Sequence, residues 1–162
     1  MNQRQRTVWY GVTLTSGLLM IASILRSPEA EGQTPAAASP AAQAQPVESD
    51  MHELMEYVYQ PTYKRLKQSM ASANVDNALW KAIKADSLIL AESGNLLLMR
   101  PPKDEVASWI ETSVATRDTG GKLYQAAKAK DMQAARQHYE AMLKKCNACH
   151  DRFADGEHQL TP

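Results

Sequence analysis

Apolar residues recur at helical spacing through nearly the whole stretch from Asp50 to Phe153, and this periodicity limits the fold more than any other feature. Neither strand-like alternation nor a hairpin dipeptide interrupts it. Amphipathic helices joined by short loops pack as an antiparallel bundle, so we predict an all-α, four-helix domain. The helices are placed at about residues 50–72, 76–98, 104–127 and 131–153, and the domain at residues 50–162.

The first predicted helix begins at Asp50, a candidate N-cap, with Glu53 three residues later to complete a capping box. Pro61 lies inside this helix and lacks the amide that would bond the carbonyl of Tyr57, so we expect a kink there. The apolar face of the helix comprises Met51, Leu54, Met55, Val58, Thr62, Leu66 and Met70.

Two adjacent glycines, Gly120 and Gly121, lie inside the third predicted helix and cost it about 2 kcal/mol relative to alanine. They indicate either a break between two shorter helices or a close approach to a neighbour. We favour a continuous helix, because Tyr124 and Ala127 keep the register of the residues before the pair. The inward residues predicted for the second and third helices are Leu79, Trp80, Ile83, Leu90, Leu97, Val106, Trp109, Ile110, Ser113, Gly120, Tyr124 and Ala127.

The fourth predicted helix contains the sequence Cys146-Asn147-Ala148-Cys149-His150, which is the C-x-x-C-H attachment signature of a c-type haem. In such a motif the two thiols form thioethers with the haem vinyl groups, and the histidine binds the iron as proximal ligand. The chain has two cysteines in all, too few for a four-cysteine zinc site, and it lacks the βαβ pattern of a thioredoxin-type disulfide. We therefore predict one covalently attached haem c.

In a helix, Cys146, Cys149 and His150 stand at positions i, i+3 and i+4 and project from one face. The haem should therefore lie along the inward side of the fourth helix, with its other face turned toward a different helix. The same inward face continues through Ala135, Tyr139, Met142, Leu143 and Phe153.

The segment from Ala129 to Phe153 resembles the end of the class II cytochromes c, the family of cytochrome c′ and its low-spin relatives. The resemblance extends over roughly 110 residues, although outside the fourth helix it rests on the layout of the helices. It implies a four-helix bundle with the haem signature inside the last helix. One position departs from the family pattern: Ala154 stands where a basic residue often follows the aromatic, and Arg152 lies on another face.

The resemblance also bears on the sixth iron ligand, because the first helix of that family faces the distal side and its low-spin members place a methionine there. We favour Met55 as this ligand, and leave Met51, His52 or an empty position open. His138 shares a helix with the proximal His150 and is excluded, and His158 follows the same helix too closely. Contact with the haem propionates is an alternative for Tyr57, Tyr59, Tyr63 and Lys64, but ordinary bundle or surface positions are favoured for them.

An export segment is predicted at residues 1–26. Arg4 and Arg6 precede an uncharged run from Val8 to Leu25, which as a helix would span about 27 Å, close to the hydrocarbon core of a bilayer. We favour an uncleaved anchor over a cleaved signal peptide. Residues 27–49 form an Ala/Pro/Gln-rich linker without enough apolar mass to fold. The domain is therefore expected in the periplasm or on the outer face of the cytoplasmic membrane.

Charge balance excludes one class of partner: residues 50–162 carry fifteen Lys/Arg and fifteen Asp/Glu, so no basic field for nucleic acid exists. No acid–base pair or nucleophile accompanies the haem signature, and we do not expect an enzyme. The favoured function is single-electron transfer between redox partner proteins. The alternative is a five-coordinate cytochrome c′-type protein that binds nitric oxide or carbon monoxide, and a homodimer is left open.

Overall fold

The computed structural model describes residues 44–162, and this part of the chain contains four helices and no strand. The first helix, α1, has three consecutive segments, Met51–Leu54, Met55–Tyr59 and Gln60–Ala71, of which the middle one is π-helical. It is followed by α2 (Asn77–Leu98), α3 (Val106–Ala129) and α4 (Met132–Phe153). The predicted all-helical fold is confirmed for these residues.

Aspartate side chains begin three of the four helices. Asp50, Asp76 and Asp131 each accept a hydrogen bond from a backbone amide of the following first turn, at 2.8–2.9 Å. These caps satisfy amides that have no partner within the helix, so the predicted helix starts are confirmed. The capping box is wrong, because the amide of Asp50 donates to the carboxylate of Glu48 at 2.7 Å and not to Glu53.

The distortion expected at Pro61 takes the form of the π segment directly before it. The amide of Gln60 donates to the carbonyl of Met55, five residues earlier, so the helix widens by one residue within that turn. Farther along, the hydroxyl of Thr62 donates to the carbonyl of Val58 at 2.6 Å. The wider turn lets α1 continue through a proline that cannot donate a backbone hydrogen bond.

This π turn changes which residues of α1 are buried. The buried positions are five residues apart across the π turn, and three or four apart elsewhere. Met51, Met55 and Val58, predicted on the inward face, are only partly buried and lie beside this stripe. The buried residues of α1 are Leu54, Tyr59, Thr62, Leu66 and Met70.

The third helix is continuous through its two glycines, as predicted. A Cβ added at Gly120 would stand 3.1 Å from backbone atoms of Ala91 on α2, whereas one at Gly121 would meet nothing within 4 Å. A second close approach lies farther along, where a Cβ at Gly94 would stand 2.7 Å from the Cβ of Arg117. Glycines therefore let α2 and α3 pack with little space between their backbones.

Most predicted core residues are buried, including Trp80 and Trp109, and the indole N–H of Trp109 donates to the carbonyl of Leu97 at 2.8 Å. The prediction is wrong for Val106 and Ile110, which are 40% and 47% exposed. Successive residues lie about 100° apart around a helix. Ile110 is therefore turned away from its neighbour Trp109 and cannot be buried as deeply as Trp109 and Ser113.

The helices pack in chain order: α1 on α2, α2 on α3, and α3 on α4. Within the described part of the chain, the first and last helices hardly approach each other backbone to backbone. Side chains occupy the space between them, with Tyr59 of α1 and Tyr139 of α4 both buried. The bundle is thus more open between α1 and α4 than between any consecutive pair.

The predicted export segment at residues 1–26 lies outside the described residues, as does the linker up to residue 43. Residues 44–49 are not helical, and the carbonyl of Glu48 accepts two hydrogen bonds from the guanidinium of Arg100, at 3.0 and 2.6 Å. Among residues 44–162, no helix combines the length and apolarity that crossing a membrane requires.

The two adjacent glycines of α3 give a matched test of this packing. Gly121→Ala should stabilise the folded protein by about 1 kcal/mol, because alanine favours the helix and its methyl group meets nothing. Gly120→Ala should be less stable than Gly121→Ala by about 1–3 kcal/mol, because its methyl group presses on the α2 backbone. Urea unfolding of both variants measures the difference, and equal free energies of unfolding would contradict the close approach.

Candidate haem site

The three chemically distinctive residues of the signature lie in the last two turns of α4. Cys149 is buried, while Cys146 and His150 are half-buried, and both thiols are free. The predicted inward face of the helix is confirmed by the burial of Ala135, Tyr139, Met142 and Leu143, with Phe153 partly buried. The fold therefore places the cysteine and histidine residues of the signature on the core-facing side of α4.

The surroundings of the two thiols are apolar. Burial raises the pKa of the Cys146 thiol to about 12, and the neighbouring Cys149 adds to this shift. Burial also raises the pKa of Cys149, while a hydrogen bond with Thr112 of α3 opposes the change. Since a redox or metal-binding cysteine works as the thiolate, pKa values raised in this way disfavour a thioredoxin-type role for the pair.

The imidazole of His150 is held by the C-terminal tail, residues 154–162. Its Nδ1 lies 3.0 Å from the backbone carbonyl oxygen of His158. A carbonyl can only accept, so Nδ1 carries the proton and Nε2 keeps its lone pair. Burial lowers the pKa of His150, against the opposing effect of this carbonyl. A neutral ring whose N–H is fixed by a backbone carbonyl is the usual state of a metal-binding histidine.

Two buried phenols near the signature have no hydrogen-bond partner, Tyr59 of α1 and Tyr139 of α4. Burial is the main cause that raises the pKa of each, and Cys146 contributes to both shifts. A buried hydroxyl without a partner costs about 1–3 kcal/mol. These two hydroxyls are therefore places where a bound group with hydrogen-bond acceptors would stabilise the protein.

The candidates for the sixth ligand differ in their surroundings. Met51 and Met55 are partly buried and pack against the core cluster that includes Cys149. The His52 side chain is 74% exposed and lies 3.2 Å from the carboxylate of Glu56. His158 is also exposed, and its side chain lies beside Glu157. The two methionines are thus the more inward of the candidates on α1.

Arg152, the basic residue near the end of α4, forms an ion pair at the start of α3. Arg152 donates to the carboxylate of Glu105, at the start of α3, over 2.7 Å. The adjacent Phe153 packs edge-on against Trp109, with ring centroids 5.0 Å apart. These contacts join the C-terminal end of α4 to α3. Arg152 is thereby directed to α3, consistent with its predicted position on a different face from His150.

The family model described as Cytochrome C' matches residues 105–154, from the start of α3 to the residue after α4. This match supports the class II cytochrome c family for the chain. No curated protein and no solved structure matches the chain significantly. The family that this model describes implies haem binding. The matched region contains the whole signature but not α1, which carries the candidates for the sixth ligand.

The residues present fit a haem. Cys146, Cys149 and His150 stand at positions i, i+3 and i+4 of α4, with Cys149 close to Thr112 of α3 and Cys146 close to Tyr59 of α1. His150 has the tautomer that leaves Nε2 for iron. The hydroxyls of Tyr59 and Tyr139 need acceptors, which haem carboxylates can supply. An ordinary bundle position was favoured for Tyr59 over a contact with the haem propionates, and its unsatisfied hydroxyl now supports the contact.

Tyr59 and Tyr57 form a matched pair for testing this fit, because Tyr57 is 66% exposed. In the haem-loaded cytochrome, Tyr59→Phe should lower the free energy of unfolding by about 0.5–1.5 kcal/mol, the loss of one hydrogen bond. Tyr57→Phe should leave it unchanged. Thermal or urea unfolding followed at the haem absorbance measures both. A Tyr59→Phe variant as stable as the wild type, or more stable, would show that the hydroxyl finds no partner in the loaded protein.

Proposed function

We propose that this protein is a monohaem c-type cytochrome that carries single electrons between redox partner proteins outside the cytoplasm. The observation that carries the proposal is the single C-x-x-C-H signature on the inward face of α4, with the His150 ring already in its iron-binding tautomer. Cys146 and Cys149 would hold the haem as thioethers, and His150 would bind the iron through Nε2. One signature supports one haem.

The bound haem supplies a one-electron couple at its iron. The protein contributes the axial ligands, a water-poor setting and the orientation of the haem edge. The buried side chains of Cys149, Met142 and Leu143 provide the water-poor setting.

We propose Met55 as the sixth iron ligand. It is partly buried against the core and begins the π segment of α1, and π turns occur frequently at functional sites. A Met/His pair raises the reduction potential relative to bis-histidine ligation. Met51, one turn earlier, is the nearest competitor. His52 has less support, because its side chain lies at the surface beside Glu56.

The proposed location rests on residues 1–49. An anchor at residues 1–26 would place the domain outside the cytoplasm, where c-type haem is attached, and residues 27–49 would give a flexible reach of roughly 25 Å. Arg100 binds the carbonyl of Glu48, which supports a boundary between linker and domain near Asp50. Such a tether would let the haem domain meet partners along the membrane surface.

Haem attachment can be tested on denaturing gels. Protein from a host that attaches c-type haem should retain haem stain after denaturation, and Cys146→Ala combined with Cys149→Ala should lose it, because both thioethers are then absent. His138→Ala, which changes a histidine on the same helix outside the signature, should keep the stain. Wild-type protein without covalent haem would contradict the proposed function.

The sixth ligand can be tested by the spectrum of the purified cytochrome. Met55→Ala should convert a low-spin haem to high spin, open the reduced form to carbon monoxide and lower the potential, because a thioether favours ferrous iron. Met51→Ala and Met132→Ala, which also remove partly buried methionines, should leave the spin state unchanged. A wild-type protein that is already high spin and binds carbon monoxide would overturn the carrier and favour gas binding.

A further inference from the structure

The C-terminal tail reverses direction as it leaves α4. Asp155, Gly156 and His158 have φ angles of 50°, 75° and 57°, in the left-handed region. Glycine adopts this region freely, but each of the other two residues pays of order 1 kcal/mol. Such a backbone persists only where other contacts hold it. The tail therefore needs anchors along its length. The side-chain amide of Gln159 donates to the carboxylate of Asp151 on α4 at 2.9 Å, and two further anchors hold the residues beyond it.

The first anchor is the side chain of Asn147, one of the two residues between the signature cysteines. Its Nδ2 donates to the carbonyl of Leu160 at 3.0 Å, and its Oδ1 accepts from the amide of Leu160 at 2.8 Å. Both hydrogen-bonding groups of one tail residue are thus satisfied by one side chain. Leu160 is also partly buried against the core.

The second anchor comes from α1. The hydroxyl of Tyr63 donates to the carbonyl of Thr161 at 2.7 Å and accepts from its amide at 3.1 Å. Lys67 donates to the same carbonyl at 3.0 Å and to the Thr161 hydroxyl at 2.7 Å. The tail consequently bridges α4 and α1, the two helices whose backbones hardly approach each other.

The carbonyl that accepts the hydrogen bond from His150 lies in the tail, between the end of α4 and the two anchored residues. That carbonyl belongs to His158, two residues before Leu160, and it lies 3.0 Å from the Nδ1 of His150. The contacts that hold Leu160 and Thr161 set the position of this carbonyl. Nothing in the regular hydrogen bonding of α4 would place an acceptor there, because the helix ends at Phe153.

We propose that Asn147 is a positioning residue for the proximal ligand: by clamping Leu160, it holds the carbonyl of His158 at His150 and so fixes the orientation and tautomer of the imidazole. The tail thereby acts as the outer support of the iron ligand, with Tyr63 as its second fixed point. This inference rests on the proposed function, since it gives His150 the role of iron ligand.

The consequence for the haem follows from the hydrogen bond. An acceptor at the ring N–H makes the imidazole a stronger electron donor through its other nitrogen. A stronger donor stabilises ferric iron and lowers the reduction potential. Releasing the tail should therefore shift the potential upward. This direction is opposite to the effect expected for loss of the sixth ligand at Met55.

The test compares three neutral substitutions in the haem-loaded, full-length cytochrome. Asn147→Ala removes the first anchor, Tyr63→Phe weakens the second, and Asn95→Ala is the matched control, because that side chain bonds only to Glu92 on its own helix. Two quantities are measured: the hydrogen-exchange rate of the Leu160 amide and the reduction potential. The signature leaves position 147 open, so haem attachment should continue in the variant.

We expect Asn147→Ala to speed exchange of the Leu160 amide by about tenfold and to raise the potential. Tyr63→Phe should change both quantities in the same directions by less, and Asn95→Ala should change neither. Faster exchange with an unchanged potential would overturn the positioning role. If Asn147→Ala does not fold, Tyr63→Phe decides in the same way. Wild-type protein without covalent haem would instead contradict the proposed function itself.

Discussion

The helical register of α4 is the constraint on which the site depends. Cys146, Cys149 and His150 share one face only because the backbone between them is regular α-helix, and Asp131 sets where that helix starts. A shift of one residue would rotate the signature by about 100°, away from the core in which Cys149 is buried. Contacts at the far end of the helix, Arg152 with Glu105 and Phe153 with Trp109, hold this register against α3.

Local chemistry made α4 and the helix starts predictable from the sequence. Asp76 and Asp131 cap helices through amides within three residues, and the haem signature spans five. The capping box at Asp50 failed because Glu48, outside the helix, competes with Glu53 for the same amide. Ile110 failed because an apolar residue on the flank of a helix resembles one on its inward face when only the spacing is considered.

The features that the sequence did not indicate depend on distant residues. Tyr63 and Thr161 are 98 positions apart, and the clamp of Asn147 on Leu160 depends on a tail that reverses through left-handed residues. In α1, a π turn replaces the expected kink, so Tyr59 is buried where α-helical spacing also allowed Val58. Gly94, like Gly120, could be interpreted only once its neighbour across the helix interface was known.

The tail and the π turn give α1 two connections to the same site. Through Tyr63, α1 holds the tail whose carbonyl supports His150. One turn earlier lies Tyr59, near Cys146 of the signature, and another turn earlier lies Met55, which is partly buried against the core. The backbones of α1 and α4 otherwise make hardly any contact, so these side chains and the tail connect the two helices. Movement of α1 would therefore alter the hydrogen bond that supports His150 and the position of Met55 together. Under the proposed function, both of the iron ligands, His150 and Met55, would then depend on how one helix is held.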